Sequence, residues 1–471
     1  MRNIVLVLLA LPCLFACEQP GMETLGEAAK TAHAVVVVED STGHRLQVND
    51  QDFFINGMNW DYFPIGTNYE YSLWSQPDEV IKAALDYEMT LLKKAGVNAI
   101  RHYTGIPARW ITYIYEKHGI YTMLNHSFAR YGLTIEGEWV ATTDYADPRV
   151  KKILIEETTA MVAQYKDTKG LLLFLLGNEN NYGLFWEGPE TEDFPVIDES
   201  SEDRARALYQ LFNEATLAMK GVDSSHPIAI CNGDLQFLDI ISQECKDIDI
   251  FGTNIYRGVS FGDAFRRVRA EYNKPLMFTE FGADALHALK QEEDQFPQAL
   301  YLRGNWKEIY QNAAGLGLAQ NAIGGFTFQF SDGWWKYGQT INLDIHDNNA
   351  SWANGGYIDD YYPGDNNMNE EWFGICAKGE PNACGLYPLH PRAAYYTLAA
   401  VHQVQPYAPE QSAGAIEEQI NKIDIENYVR IAAGEKESPL SSEIANLQEA
   451  SPVMNDCSKV VADKSTPGSN E

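Results

Sequence analysis

The chain has 471 residues, 45% of them hydrophobic, which is enough for one large domain of barrel size. Its formal net charge is −31. Such acidity argues against nucleic acid as a partner, because phosphate backbones select Lys and Arg, and it is typical of a solvated acidic surface.

The N-terminus is typical of an export signal. A short apolar run follows Arg2 and is too short to cross a membrane as a helix. The stretch 14–17 (LFAC) resembles the cleavage box of bacterial lipoproteins, with Cys17 as the lipidated residue, and a polar tether follows over 18–33. We therefore expect a signal peptide over 1–17 and a lipid-anchored protein of the bacterial cell envelope, facing the periplasm or the cell surface. Ordinary secretion is the alternative, since Phe15 is bulkier than that box usually carries.

From about residue 50 to 405, apolar β-rich runs alternate with amphipathic helical patterns. The strand candidates are Phe53–Asn59, Asn98–Tyr103, Ile120–His126, Leu171–Gly177, Ile228–Asn232, Ile248–Tyr256, Leu276–Phe281 and Gly325–Phe330. The helical patterns are Glu79–Ala95, Ala108–His118, Arg149–Tyr165, Glu202–Gly221, Leu235–Ile241, Phe261–Tyr272, Pro297–Leu318 and Pro391–Gln403. Eight strands that are each followed by a helix predict an α/β protein with a single (β/α)8 TIM barrel. Two doubly wound domains are the alternative, but no Gly-rich dinucleotide fingerprint follows any strand.

Three segments frame the predicted barrel. Residues 35–50 (VVVVEDSTGHRLQVND) predict a short β-hairpin that caps the N-terminal end of the barrel. A long insertion, 333–390, separates strand eight from the last helix, and long ordered loops are usually functional. We expect the catalytic domain to cover 34–410 and a polar tail to cover 411–471, poorly ordered after about residue 430.

Two of the seven cysteines fall in the predicted signal peptide. Pairing is expected among the other five in an exported, oxidised chain. The partners nearest in sequence are Cys231 with Cys245 and Cys376 with Cys384, which leaves Cys457 in the tail. No CxxC motif occurs, which argues against a thiolate metal site.

Catalytic groups of such barrels lie at the C-terminal ends of the strands, and every predicted strand here ends in polar or aromatic residues. The candidate site residues at these ends are Trp60, Asp61, Arg101, His126, Asn178, Glu179, Asn254, Tyr256, Glu280, Trp334 and Trp335. Aromatic rings cover the flat C–H faces of sugars. The aromatic residues predicted in rim loops are Trp60, Tyr62, Tyr69, Tyr71, Trp74, Trp186, Trp334, Trp335, Trp352 and Trp372.

Two carboxylates, Glu179 and Glu280, end strands four and seven, which face each other across a closed barrel. Glycoside cleavage needs such a pair, with a protonated acid for the leaving oxygen and a carboxylate for the anomeric carbon. Either residue alone would more often be an ion-pair partner at the rim. The two together, among so many aromatic residues, favour catalysis.

The motifs around these residues resemble a known family. LGNEN around Glu179 and TEFGAD around Glu280 are similar to the acid/base and nucleophile motifs of glycoside hydrolase family 2 and its clan-A relatives. VNAIRHY and DIDIFGTNIYRG resemble the strand-two and strand-six patterns, and EKHGIY and HPRAAYY match the same catalytic domain. The resemblance covers about residues 50–405. It implies that Tyr256 contacts the nucleophile and that Arg101 lies near it.

The chain departs from family 2 at several positions. Only a short hairpin precedes the barrel where the family carries β-sandwich domains. Strand one (GMNWDY) lacks the usual His, strand three ends in Asn125 and His126 instead of an acidic pair, and Phe328 stands where a Trp is frequent. These positions shape sugar subsites, so the substrate cannot be carried over. The FFINGMNW opening and the stand-alone barrel also resemble family 72, the β-1,3-glucan transglycosidases.

The sequence thus predicts a retaining glycoside hydrolase that cleaves β-linked glycans or oligosaccharides by double displacement. Glu179 would act as acid and then as base, and Glu280 as nucleophile. The resemblance implies that Asn178 contacts the C2 hydroxyl of the sugar, and that Arg101 and Tyr256 keep Glu280 ionised and aimed. A β-glucan transglycosidase and a catalytically inactive glycan-binding lipoprotein are the alternatives.

No cofactor and no metal are expected. The Asp- and Asn-rich stretch 344–367 lacks the spacing of a known calcium loop. His102 and His126 at strand ends could bind a metal, but sugar hydroxyls need such donors and acceptors as well. The expected partners are a β-linked carbohydrate and, through Cys17, a membrane.

Overall fold

The structure is a computed structural model that describes residues 34–103, 105–184, 199–287, 290–336, 338–348 and 368–451. The strands are β1 Val35–Asp40, β2 Gly43–Val48, β3 Gln51–Asp52, β4 Ile55–Asn59, β5 Ala99–Tyr103, β6 Tyr121–His126, β7 Leu133–Ile135, β8 Glu138–Val140, β9 Leu171–Leu176, β10 Ile228–Gly233, β11 Ile250–Asn254, β12 Leu276–Phe281, β13 Leu286–His287, β14 Glu292–Glu293, β15 Ala322–Thr327, β16 Cys376–Lys378 and β17 Leu389–Pro391. The helices are α1 Asp78–Lys94, α2 Ala108–His118, α3 Pro148–Tyr165, α4 Glu199–Val222, α5 Leu238–Glu244, α6 Ala264–Glu271, α7 Gln295–Gln311, α8 Ala393–Val401, α9 Ala413–Asn421, α10 Ile425–Ala432 and α11 Pro439–Ala450.

Eight parallel strands close into a barrel in the order β4, β5, β6, β9, β10, β11, β12 and β15, and the predicted (β/α)8 fold is confirmed. Each strand is buried on both faces, because one face lines the barrel and the other meets the helices. The apolar run of β9 is the clearest case, since every residue in it is buried. Local signals set the helix ends: Asp147 accepts a bond from the backbone N–H of Arg149 at 2.8 Å before α3, and Gly119 ends α2 with φ 72°.

Strand eight lies three residues earlier than predicted, at Ala322–Thr327 instead of Gly325–Phe330. The prediction began the strand at Gly325, immediately after Gly324. Both glycines lie inside it, where a Cβ on Gly324 would come within 2.2 Å of the carbonyl oxygen of Ile55 on β4. Glycine therefore marks a close approach of two backbones here and not a strand start.

The N-terminal hairpin closes the bottom of the barrel, as predicted. Strands β1 and β2 pair antiparallel, and their buried residues Val35, Leu46 and Val48 share an apolar cluster with the inward-facing residues of the barrel strands. The backbone N–H of Val35 donates to the carbonyl of Ser225, just before β10, at 3.0 Å. The hairpin is therefore fixed to the N-terminal end, opposite the rim where the polar strand ends collect.

The segment that follows strand eight returns to its own first residues and forms backbone hydrogen bonds with them. The backbone N–H of Gln329 donates to Phe373 at 3.2 Å, and that of Ile375 donates to Gln329 at 3.0 Å. Arg392, just before α8, then forms a buried bidentate pair with Asp332, at 2.6 and 2.7 Å. The end of strand eight and the beginning of the last barrel helix are thus joined by a fully desolvated ion pair.

The expected disorder after about residue 430 is wrong for the described residues up to 451, where α11 forms, and the predicted polar tail from 411 begins with two further helices, α9 and α10. Helices α9, α10 and α11 pack against α7, α8 and α1, and they bury isoleucines in the main core. Each begins at a capping side chain, those of Ser412, Asp424 and Ser438. The polar composition of this region concealed isoleucines at helical spacing, such as Ile416 and Ile420. None of the helices in the described ranges is long and apolar enough to cross a membrane.

The two predicted disulfide pairings are also wrong, although Cys384 does form a disulfide, but not with Cys376. Cys231, Cys245 and Cys376 are buried free thiols. Cys231 faces the interior of the barrel, whereas Cys245 and Cys376 pack in the outer core between strands and helices. Closeness in sequence misled the prediction, because the barrel wall separates Cys231 from Cys245.

Candidate active site

A layer of polar side chains fills the C-terminal mouth of the barrel. Side chains of a strand alternate between its two faces, and inward positions near the ends of four strands carry Asn59, Arg101, Asn125 and Asn254. These side chains bond to one another or to shared neighbours across the barrel axis. The strands therefore place the groups of this layer without help from the loops.

Arg101 occupies the centre of this layer and is only 1% exposed. Its guanidinium donates to Asn125 Oδ1 at 2.6 and 2.9 Å, to Asn178 Oδ1 at 2.9 Å and to Asn59 Oδ1 at 3.3 Å. It also forms an ion pair with Glu280 Oε1 at 2.6 Å. A buried cation needs this many partners, because it has lost all of its water.

Glu280, near the end of β12, is held by donors on both carboxylate oxygens. Arg101 binds Oε1, and the hydroxyl of Tyr256 donates to Oε2 at 3.0 Å. The ring of Tyr256 is itself fixed by edge contacts with Phe328 and Phe373, at 6.3 and 5.7 Å between ring centroids. A cation and a hydroxyl donor both stabilise negative charge on Glu280.

Glu179 has the opposite environment. Its Oε1 accepts a bond from Asn254 Nδ2 at 3.1 Å. Burial and the negative charge of Glu280 raise the pKa of Glu179 to about 7, against the weaker opposing effects of Arg130, Asn254 and Arg101. The environment of Glu179 therefore favours the protonated carboxyl more than water does.

The asparagines around Glu179 tie the end of β9 to neighbouring elements. Asn178 Oδ1 accepts from Arg101 and from Asn254, and its Nδ2 donates to the hydroxyl of Tyr131 at 3.1 Å. Asn180 donates to Phe128 O at 2.8 Å and accepts from the backbone N–H of Asn178 at 2.8 Å. Asn181 exchanges two bonds with the backbone of Gly233 on β10, at 2.7 and 3.0 Å. The polar run after this apolar strand is thus a scaffold that fixes the position of Glu179.

Two predicted site residues, Trp60 and His126, face the helices instead of the barrel mouth. Trp60 is 3% exposed, and its indole N–H donates to Glu88 on α1 at 2.6 Å. Nδ1 of His126 accepts the backbone N–H of Phe128 at 3.1 Å, and its Nε2 lies 3.5 Å from Glu157 on α3. Each follows an inward residue in its chain, so strand alternation turns it outward.

Three further aromatic candidates, Trp334, Trp335 and Trp372, contact neighbouring rings. Trp334 stacks on His346 at 4.6 Å, and His346 stacks on Trp372 at 3.9 Å, so these rings pack on one another. Trp335 is partly exposed and contacts Phe63 at 5.2 Å. Trp186 and Trp352 lie outside the described residues.

Asp61, the acidic candidate at the rim, is half-buried. Burial raises its pKa, and the ammonium group of Lys378 acts in the opposite direction. Within the described ranges no group of three or more His, Cys, Asp or Glu side chains could hold a metal ion. Most of the stretch 344–367 lies outside those ranges. His102 packs between Trp60 and Trp74, at 5.6 and 5.5 Å between ring centroids.

Residues 41–334, more than half of the chain, match the TIM barrel domain of glycosyl hydrolases family 2. This chain belongs to glycoside hydrolase family 2. A β-galactosidase from Aeromonas hydrophila subsp. hydrophila is 25% identical over 143 residues, which is 30% of this chain and 12% of that protein.

The solved structure of a β-glucuronidase from Bacteroides uniformis has 14% identity and a TM-score of 0.50, and the alignment covers 78% of this chain and 37% of that chain. At this identity the likeness shows the fold alone. This family 2 chain matches only a minor part of the length of either relative, and a short hairpin precedes its barrel.

Several residues of this family 2 site were missed in the sequence. Cys231 and Thr279 lie beneath the carboxylates, and strand alternation was the signal that could have found them. Arg130 and Tyr131 reach Asn178 from the loop after β6. No sequence pattern marked them, because their position depends on how that loop folds.

We predict that Gly177→Ala will disrupt the site. Gly177 has φ 82°, and a Cβ there would lie 2.6 Å from Asn180 Oδ1. Gly119 has φ 72° with open space around its Cβ position, so Gly119→Ala is the matched control for backbone strain alone. Each variant should lose about 1–2 kcal/mol of unfolding free energy from the left-handed backbone, but only Gly177→Ala should lose most of the activity proposed below. Equal activity of the two variants would contradict the scaffold role of the asparagine run.

Proposed function

We propose that this protein is a retaining glycoside hydrolase that cleaves β-linked glycans by double displacement. One observation carries the proposal: two carboxyl groups in one barrel mouth lie in opposite environments. Glu280 is bound by a guanidinium and a phenol, whereas the pKa of Glu179 is raised to about 7. An ionised nucleophile beside a protonated acid is the arrangement that this reaction requires.

In the first step, Glu280 attacks the anomeric carbon while the bond to the leaving oxygen breaks. Glu179 gives its proton to that oxygen, so the leaving sugar or aglycone departs neutral. A covalent glycosyl ester on Glu280 results, and the negative charge of Glu280 is gone. The pKa of Glu179 then falls, because that charge had helped to raise it.

In the second step, Glu179 acts as a base. It takes a proton from water as the water oxygen attacks the anomeric carbon, and the ester bond to Glu280 breaks. Two inversions restore the β configuration. Asn178, held by Arg101 and Tyr131, supports the C2 hydroxyl of the sugar in our proposal.

The substrate is proposed only as a class. The similar proteins are named a β-galactosidase and a β-glucuronidase, so aryl β-galactosides and aryl β-glucuronides are the first probes, followed by β-glucans and mannans. Sizing the products of an oligosaccharide distinguishes hydrolysis from transfer, because transfer makes chains longer than the substrate.

We expect the two glutamates to respond differently to azide. Glu179→Ala should retain the first step on activated aryl glycosides but stall at the ester, and azide should restore turnover as a β-glycosyl azide. Glu280→Ala should be inactive alone and give an α-glycosyl azide. NMR of the products distinguishes the two anomers. The reverse assignment of products would mean that the roles of the two residues are exchanged, and no turnover by the wild type on any probe would refute the proposed activity.

The pH dependence follows from the raised pKa of Glu179. In the wild type, kcat/KM should fall as the pH rises through about 7, because Glu179 loses the proton that the leaving group needs. Glu280→Gln removes a neighbouring negative charge, so the pKa of Glu179 should decrease. NMR titration of isotope-labelled glutamate carboxyl carbons measures this without turnover. An unchanged or higher pKa of Glu179 in Glu280→Gln would contradict the proposed coupling.

We also propose that the chain is exported and anchored by a lipid on Cys17. The support is the sequence alone, since residues 1–33 lie outside the described ranges. Expressed in a bacterium, the wild type should incorporate labelled palmitate and fractionate with membranes, whereas Cys17→Ala should do neither. Unlabelled wild-type protein in the soluble fraction would rule out the anchor.

A further inference from the structure

A buried thiol lies directly beneath the two carboxyl groups. Cys231, on β10, is 1% exposed and faces the barrel interior. Its Sγ lies 3.2 Å from Asn254 Oδ1, 3.2 Å from Thr279 Oγ1, 3.6 Å from Asn178 Oδ1 and 3.8 Å from Arg101 Nη2. The sulfur thus contacts groups that hold Glu179 and groups that hold Glu280.

The two ends of the Asn254 side-chain amide face different partners. Its oxygen faces a hydrogen-bond donor, and its nitrogen faces acceptors. Its Oδ1 accepts the hydroxyl proton of Thr279 at 2.6 Å, and its Nδ2 donates to Asn178 Oδ1 at 3.2 Å and to Glu179 Oε1 at 3.1 Å. A flipped amide would put its oxygen against the oxygen of Asn178 and withdraw the donor from Glu179.

The thiol strengthens this orientation when its single proton goes to either of the two acceptors at 3.2 Å, Asn254 Oδ1 or Thr279 Oγ1, which lie closer than Asn178 Oδ1 at 3.6 Å. Donation to Asn254 Oδ1 fixes that oxygen directly. If the thiol donates to Thr279 Oγ1, the hydroxyl proton of Thr279 itself points to Asn254 Oδ1. In both cases the amide nitrogen of Asn254 is directed to Glu179, and the hydrogen bond favours the ionised form of that carboxyl.

We propose that Cys231 is a positioning residue, whose thiol orients the amide of Asn254 and so maintains the hydrogen bond from Asn254 to Glu179. The inference rests on the proposed function, in which Glu179 is the acid and base. It deepens that proposal by assigning a role to a group that touches neither the sugar nor Glu179.

Other charged or titratable groups also act on Glu179 and must be kept constant in a test. They come from five elements: Glu280 on β12, Arg101 on β5, Arg130 after β6, Tyr182 after β9 and Tyr256 after β11. Substitution at Cys231 removes none of these side chains. A change in the pKa of Glu179 in such a variant therefore reports the bond from Asn254.

The test compares Cys231→Ala and Cys231→Ser with Cys245→Ala and Cys245→Ser. Cys245 is also a buried free thiol, but it lies in the outer core, away from the carboxyl groups. Two measurements are made on each variant: the pH profile of kcat/KM on the aryl glycoside that the wild type cleaves, and NMR titration of the labelled Glu179 carboxyl carbon. Cys231→Ala should raise the pKa of Glu179 by roughly 0.5–1 pH unit. The alkaline limb of the kcat/KM profile should move to higher pH by the same amount.

Cys231→Ser keeps a donor and should stay close to the wild type, as should both Cys245 variants. If Cys231→Ala does not fold, Cys231→Val replaces it, because valine fills the site without a donor. An unshifted pKa in the alanine or valine variant, or an equal shift in Cys231→Ser, would overturn the proposal and leave the thiol a packing role. The titration needs no turnover, so it tests Cys231 even if every glycoside probe fails, which would refute the proposed function instead.

Discussion

The desolvated guanidinium of Arg101 fixes the positions of the polar side chains at the C-terminal mouth of the barrel. A cation without water must find its partners in the protein, and Arg101 takes them from Asn59 and Asn125 on neighbouring strands, Asn178 after β9 and Glu280 on β12. These bonds reach across the barrel axis. The interactions that neutralise the charge of Arg101 therefore also fix the positions of the strand ends. They can support a site whose atoms must be held to within about 1 Å.

The division of labour between the two carboxyl groups follows from this arrangement. Arg101 pairs directly with Glu280, but its hydrogen bonds reach Glu179 only by way of Asn178 and Asn254. The charge on Glu280 is thus stabilised at contact distance, whereas Glu179 has one neutral donor, and the repulsion of Glu280 outweighs the more distant charges of Arg130 and Arg101. Two residues of the same type thus acquire opposite electrostatic environments from their neighbours alone.

How much of this could be read from the sequence depended on the kind of pattern. The eight strands were predicted, because short apolar runs that alternate with helical patterns are typical of the buried parallel strands of a barrel. The two glutamates were found by the same logic, since each ends such a run. Trp60 and His126 were misplaced because the prediction took every polar or aromatic residue at a strand end as facing the mouth, without applying the alternation of the strand. Cys231 was read as a disulfide partner because spacing in sequence does not show on which side of the barrel wall a residue lies.

The contacts of the aromatic residues in the long insertion could not be predicted from the sequence either. Its tryptophans were counted as sugar-binding surface, yet the rings of Trp334 and Trp372 enclose His346, and Trp372 also covers the guanidinium of Arg392 at 5.6 Å. Composition predicts that such rings are present, but only tertiary contacts decide whether another side chain already covers them. The buried isoleucines of the C-terminal helices were missed because the many polar residues around them made the whole segment look polar.

The bonds around Glu179 bear on how this scaffold can diverge. Most groups of the polar layer come from strands, which tolerate little change. The loop after β6 is different, because Tyr131 and Arg130 bind Asn178 and the backbone of Phe128 binds Asn180. Replacing that loop would also remove the contacts that fix Asn178 and Asn180 beside Glu179. In the described part of the insertion after β15, Phe373 contacts the ring of Tyr256. The loop after β6 should therefore change together with the residues that it holds, whereas the strand-eight side of the mouth bears on Tyr256 and so on Glu280.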